Sequence, residues 1–125
     1  RTAREFLENS DEPSLLRQLN PDDITSLEVS KAAAKGDALA CRVYEFTGKM
    51  LGEACADFTT FCSPEAFVFF GGLTKAGDLL MKPLLKSYDE NVMAVFRGKA
   101  KFLVSSLDGA GAAVLGASAI AKKCE

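Results

Sequence analysis

Histidine is absent from the 125 residues, which removes the side chain that most readily moves protons near neutral pH. Any catalytic base would have to be Asp, Glu, Lys or Cys. The four cysteines, Cys41, Cys55, Cys62 and Cys124, include no C-x-x-C pair. Without histidine, a zinc site made within this chain is not expected. Cys41, Cys55 and Cys62 fall in or beside one amphipathic segment and read as buried free thiols of a reducing compartment rather than as disulfides. The stretch with the strongest claim to binding chemistry is Phe67-Val68-Phe69-Phe70-Gly71-Gly72-Leu73-Thr74-Lys75-Ala76-Gly77-Asp78. It reads as a strand, a tight turn and the start of a helix. An apolar strand without polar alternation suits a sheet covered on both faces. Gly71 and Gly72 leave the backbone bare, so a flat ligand can come close. Ligands of open α/β sheets tend to settle beyond the carboxyl ends of the strands. The plainer alternative is that the two glycines only turn the chain from strand to helix.

The length suits about one domain with one core. The chain is 48% hydrophobic and 26% charged, with a net charge of −2, ordinary values for a globular protein. Acids and bases are interspersed, which argues against a nucleic-acid surface built from clustered Lys and Arg. No apolar run approaches the ~20 residues a bilayer span needs, and no signal peptide is visible in Arg1-Thr2-Ala3-Arg4-Glu5-Phe6.

Those residues must be positioned by a largely helical chain. Arg1 to Glu8 reads as helix, with Ala3, Phe6 and Leu7 on one face. Its start lacks both an initiator Met and a capping side chain, so a longer parent protein is expected. Asn9 to Pro13 breaks this helix, Ser14 to Gln18 forms a short one, and Asn20 to Asp23 turns. Thr25-Ser26 caps a helix to about Lys35 that packs Leu27, Val29 and Ala33; Gly36 ends it. Asp37 caps the longest element, which runs to about Phe61 with an apolar stripe of Leu39, Val43, Phe46, Met50, Ala54 and Phe58. Gly48 and Gly52, one turn apart on that helix, predict close approach of a neighbour. The next helix, capped by Thr74, is expected to reach Tyr88, with Leu79, Leu80, Leu84 and Leu85 inward and a kink at Pro83. Met93 to Phe96 reads as extended, Arg97-Gly98 as a turn and Lys101 to Ser105 as a second strand. A loop over Leu107 to Gly111 leads to a helix of small residues, Ala112 to Lys122. Two strands are too few for a complete sheet, so an edge would stand exposed unless other chain supplies more strands.

In this order and spacing the chain resembles the C-terminal part of ROK-family proteins, which are bacterial sugar kinases and sugar-responsive repressors. The resemblance rests on several stretches. They are Gly36-Asp37 with Leu51-Gly52 in the helix that follows, and Ser63-Pro64-Glu65 before Phe67-Val68-Phe69-Phe70-Gly71-Gly72. Leu79-Leu80 with Pro83, Ser106-Leu107 and Val114-Leu115-Gly116-Ala117 complete it. It extends from about Thr25 onward. Two places depart from the family pattern: Gly111-Ala112-Ala113 stands where an acidic-Ala-Gly triplet is common, and the glycine run is two rather than three.

The resemblance implies an α/β chain, mostly helical with a few central strands. It would be part of the C-terminal lobe of an actin-like, ribonuclease-H-type ATPase domain, with residues 1–125 a single unit. It implies a parent that is an ATP-dependent hexose kinase, most simply a glucokinase, acting in the cytoplasm with Mg²⁺. The base, a structural zinc cluster and the sugar-holding segment would all lie upstream. The alternative parent is a sugar-responsive transcriptional repressor, the only case in which nucleic acid would be a partner. No residue of this chain is expected to be catalytic or to ligate metal. Gly71 and Gly72 would pass beneath the adenosine, Leu73 would pack on it, and Thr74 would donate a hydroxyl or merely cap its helix. The helix near Ala112 would close the adenine end. Nucleotide and hexose are the expected partners of the whole protein, with no membrane and with self-association into a homo-oligomer.

Overall fold

The computed structural model describes residues 1–107 and 110–122. Helix α1 (Thr2–Glu8) is followed by two short 3-10 turns, Leu15–Gln18 and Pro21–Asp23. Helix α2 (Ser26–Ala34) then leads into α3 (Ala38–Cys62), strand β1 (Ala66–Phe69) and a 3-10 turn at Gly72–Ala76. Helix α4 (Asp78–Asn91), a 3-10 turn at Ala94–Phe96, strand β2 (Lys101–Val104) and helix α5 (Ala110–Lys122) complete the order. The two strands pair in parallel, with Phe67 opposite Phe102 and Phe69 opposite Val104. A parallel pair needs a crossover, and α4 provides it.

Capping sets the helix borders. The Thr25 side chain accepts from the Glu28 N–H, and Asp37 accepts from the Ala40 N–H. Gly36 has φ +82° between α2 and α3, a left-handed residue just past a helix end.

One core cluster joins α1, the first 3-10 turn, α2, α3 and the start of α4 through Ala3, Leu16, Val29, Leu39, Tyr44 and Leu80. The second lies beneath the sheet, where Cys55, Ala56, Tyr88 and Val92 meet Phe67, Phe69 and Phe102. Phe102 is its centre: it stacks on Phe67 with ring centroids 5.2 Å apart and meets Tyr88 edge-on at 4.7 Å. Edge-on and offset pairs of this kind add to simple burial.

Helices α3 and α4 meet at the glycines. A Cβ built on Gly48 would stand 2.7 Å from the Leu80 carbonyl oxygen, and one on Gly52 would stand 2.4 Å from that of Leu84. The predicted close approach is therefore present, and it decides which face of α3 is buried. Val43, Tyr44, Gly48, Gly52, Cys55, Ala56 and Thr59 lie inside. Only Leu39 and Val43 of the expected stripe are in that core, whereas Phe46, Met50 and Phe58 are exposed. Large apolar side chains dominate a periodicity count, but two helices come closest where side chains are smallest.

Several other expectations are corrected. Leu80 and Leu84 are buried, but Leu79, Leu85 and Leu27 are exposed. Met93 to Phe96 is not extended; Ala94–Phe96 forms a 3-10 turn. Helix α5 starts at Ala110, two residues before the expected Ala112. Pro83 does lie inside α4, as expected. Thr74 does not cap α4: Gly77 holds that position, with φ +54° and no side-chain cap. The sheet is covered on one face only, since Val68 is 64% exposed and Leu103 is 48% exposed on the other. Cys41, Cys55 and Cys62 are free thiols as expected, but Cys62 is exposed. Cys124 and the Asp108-Gly109 part of the loop lie outside the described residues.

Candidate nucleotide-facing turn

Both strands of a parallel pair end on the same side, so the turn after β1 and the segment after β2 are neighbours. The Ser105 N–H donates to the Phe69 carbonyl at 2.9 Å and extends the ladder one residue beyond β2. Gly71 has φ +113° and ψ 179°, a conformation open to glycine but strained for other residues. The Gly71 carbonyl accepts twice from Thr74, from its N–H at 3.2 Å and from its hydroxyl at 2.7 Å. Thr74 thus braces the turn from within rather than capping the helix that follows. Gly72 lies outside the left-handed region. A Cβ on either Gly71 or Gly72 would meet nothing within 4 Å. The bend is bare and unplugged.

Beside it lies a cavity of about 240 Å³ lined by Gly71, Thr74, Lys75, Val104, Ser105 and Ser106, with Leu107 at its end. Gly71 and Thr74 of the four expected site residues meet here. Leu73 instead lines a separate cavity of about 180 Å³, together with Val29 of α2 and Tyr44 and Thr47 of α3. Gly72 lines neither of these and is exposed between them. The sequence reading missed Ser105, Ser106 and Lys75. The signal was available: once β2 is taken as parallel to β1, its carboxyl end must lie beside the glycine turn. The Ser105 hydroxyl accepts from the Leu107 N–H at 3.1 Å, which holds this segment folded toward the cavity.

The described lining offers hydroxyls and one cation but no carboxylate or thiol. Such an arrangement can hold a polar ligand by hydrogen bonds and charge. Among the described residues, no group of three or more His, Cys, Asp or Glu could hold a metal ion, and no helix is long and apolar enough to cross a membrane.

The sequence profile of the ROK family matches residues 7–124, and the chain belongs to that family. A glucokinase of Halalkalibacterium halodurans is 32% identical over 102 residues, a stretch that covers 82% of this chain and 31% of the enzyme. The DNA-binding transcriptional dual regulator NagC of Escherichia coli is also 32% identical over 102 residues, covering 82% of this chain and 25% of the regulator. A crystal structure of a ROK family glucokinase from Streptomyces griseus in complex with glucose and AMPPNP superposes with a TM-score of 0.75 at 27% identity. That likeness covers 87% of this chain and 36% of the enzyme. The fold is thus part of the actin-like ATPase fold of ROK sugar kinases, mostly helical with a small parallel sheet. The chain spans about a quarter to a third of the length of the relatives it matches.

Proposed function

We propose that this chain is the adenosine-side portion of an ATP-dependent hexose kinase, a glucokinase that converts ATP and glucose to ADP and glucose 6-phosphate. The observation that carries this reading is the bare Gly71-Gly72 bend at the carboxyl ends of two parallel strands, with open space where each Cβ would stand. In this reading the nucleoside lies across Gly71 and Gly72, with its ribose toward Thr74, Ser105 and Ser106. ATP, with Mg²⁺, supplies the transferable phosphoryl group. This part of the protein binds and orients, and phosphoryl transfer depends chiefly on such positioning and on charge stabilisation. The base, the sugar contacts and the structural zinc belong to the rest of the protein in this reading, and the whole works in the cytoplasm.

The test is Gly72→Val in the full protein. Gly72 is unstrained and its Cβ direction is empty, so the fold should tolerate the side chain while a nucleotide would not. The KM for ATP should rise about tenfold with the KM for glucose nearly unchanged. Equal effects on both, or none on ATP, would reduce the bend to a structural turn.

A second reading has its own support, because NagC matches over the same length and at the same identity as the glucokinase. In that reading the parent is a sugar-responsive repressor. A full protein without ATP-dependent glucose phosphorylation, but with sugar-dependent release from DNA, would establish it.

A further inference from the structure

The peptide that joins Gly71 to Gly72 is the floor of the bare bend. With no Cβ on either side of it, such a peptide can flip over at little steric cost, so something must choose its orientation. Here Thr74 does. The Gly71 carbonyl accepts from the Thr74 hydroxyl at 2.7 Å and from the Thr74 N–H at 3.2 Å, and the shorter bond belongs to the side chain. Thr74 is itself held, since its carbonyl accepts from the Gly77 N–H at 3.0 Å. Among the described residues no peptide bond is cis, and in a trans peptide the N–H points away from the C=O. The bond that draws the Gly71 carbonyl toward Thr74 therefore turns the Gly72 N–H outward. Gly72 is exposed, and as the first residue of the 3-10 turn Gly72–Ala76 it has no partner for that N–H within the turn.

We infer that Thr74 is a positioning residue for the nucleotide, acting through the orientation of the Gly71–Gly72 peptide; this rests on the reading of the bend as the nucleotide-facing turn. The hydroxyl proton is committed to Gly71, so the side chain sets the floor on which the nucleoside lies. Without the hydroxyl only the longer N–H bond restrains the peptide. A flipped peptide would turn a carbonyl oxygen outward in place of the N–H. The binding-competent orientation is then one of two, and the apparent affinity falls by the fraction lost.

The experiment compares Thr74→Val with Thr74→Ser in the full protein. Thr74→Val keeps the shape of the side chain and removes the hydroxyl. It should raise the KM for ATP and the Kd for ATP by calorimetry about fivefold, the worth of one ordinary hydrogen bond, with the KM for glucose nearly unchanged. Thr74→Ser restores the hydroxyl and should bring both values back toward the parent. In nucleotide-free protein labelled with 15N-glycine, Thr74→Val should broaden or double a glycine amide line as the peptide exchanges between orientations, and Thr74→Ser should sharpen it. ATP binding that is unchanged in Thr74→Val, a KM for glucose that rises equally, no recovery in Thr74→Ser, or glycine lines that stay sharp would each overturn the inference while leaving the nucleotide reading in place. A full protein that binds no ATP would overturn both. Should Thr74→Val fail to fold, Thr74→Ala is measured in its place with the same outcomes expected.

Discussion

The Asp37 carboxylate accepts from the Ala40 N–H at 2.9 Å, from the Leu15 N–H at 2.6 Å and from the Ser14 hydroxyl at 3.1 Å. One side chain thus caps α3 and ties it to a turn more than twenty residues upstream. Burial pushes this carboxyl's pKa up, but hydrogen bonds from Ala40, Leu15, Ser14 and Leu39 outweigh burial and leave the pKa lowered. Asp37→Ala should cost about 2–4 kcal/mol, since it removes the cap and the bonds from Leu15 and Ser14, read as a shift of the urea midpoint. The sign of the pH dependence follows from the lowered pKa. The stabilisation is fully present above the unfolded value of about 3.9 and is lost as pH falls through the folded value. The stability gap between the parent and Asp37→Ala should therefore stay level from pH 8 to pH 5 and narrow in stronger acid. A gap that widened on acidification would contradict this account. The capping role was legible from Gly36-Asp37 followed by a long amphipathic run. The bonds to Leu15 and Ser14 were not, because nothing local connects residues so far apart in sequence.

The α3–α4 pair depends on two missing side chains. Gly52→Ala places a Cβ within 2.4 Å of the Leu84 carbonyl oxygen and 2.8 Å of the Tyr88 nitrogen. Both are backbone atoms of α4, which cannot yield without moving the helix. Overpacking of this kind costs about 1–3 kcal/mol, against a gain of up to ~1 kcal/mol in helix propensity. A lowered melting temperature is expected. Gly116→Ala in α5, where a Cβ meets nothing within 4 Å, serves as the control and should be neutral or stabilising. Equal responses at both positions would mean that helix propensity, not helix contact, governs Gly52. Gly48 and Gly52 announced this contact in the sequence through their spacing of one turn. The same sequence misdirected the reading of the helix face, since Phe46, Met50 and Phe58 carry the periodicity yet lie outside the α4 contact.

Over the whole molecule, apolar surface is left uncovered on the second face of the sheet, along the outer side of α3 and on α5. Val68, Leu103, Phe58 and Phe61 are exposed, Phe61 at 90%, as are Val114, Leu115 and Ile120. Exposed apolar residues in such number suit contact with other protein, and among the described residues each of the two strands has an open edge. The isolated 125-residue chain should therefore self-associate and elute ahead of its monomer volume in sizing. Leu103→Lys, on the exposed face, should shift it toward monomer. A sharp monomer peak from the parent chain would count against this reading.

The sequence by itself determined the local events: the caps at Thr25 and Asp37, the left-handed exit at Gly36, the order of helices and strands, and the bare bend at Gly71-Gly72. These depend on neighbours along the chain, through backbone sterics and short hydrogen bonds. Only the tertiary structure decided which face of α3 is buried, that Thr74 braces its own turn, and that Leu73 parts from Gly71 and Thr74. The physical reason is that burial and adjacency are properties of pairs of elements, and closest approach is governed by where side chains are small rather than by where they are apolar.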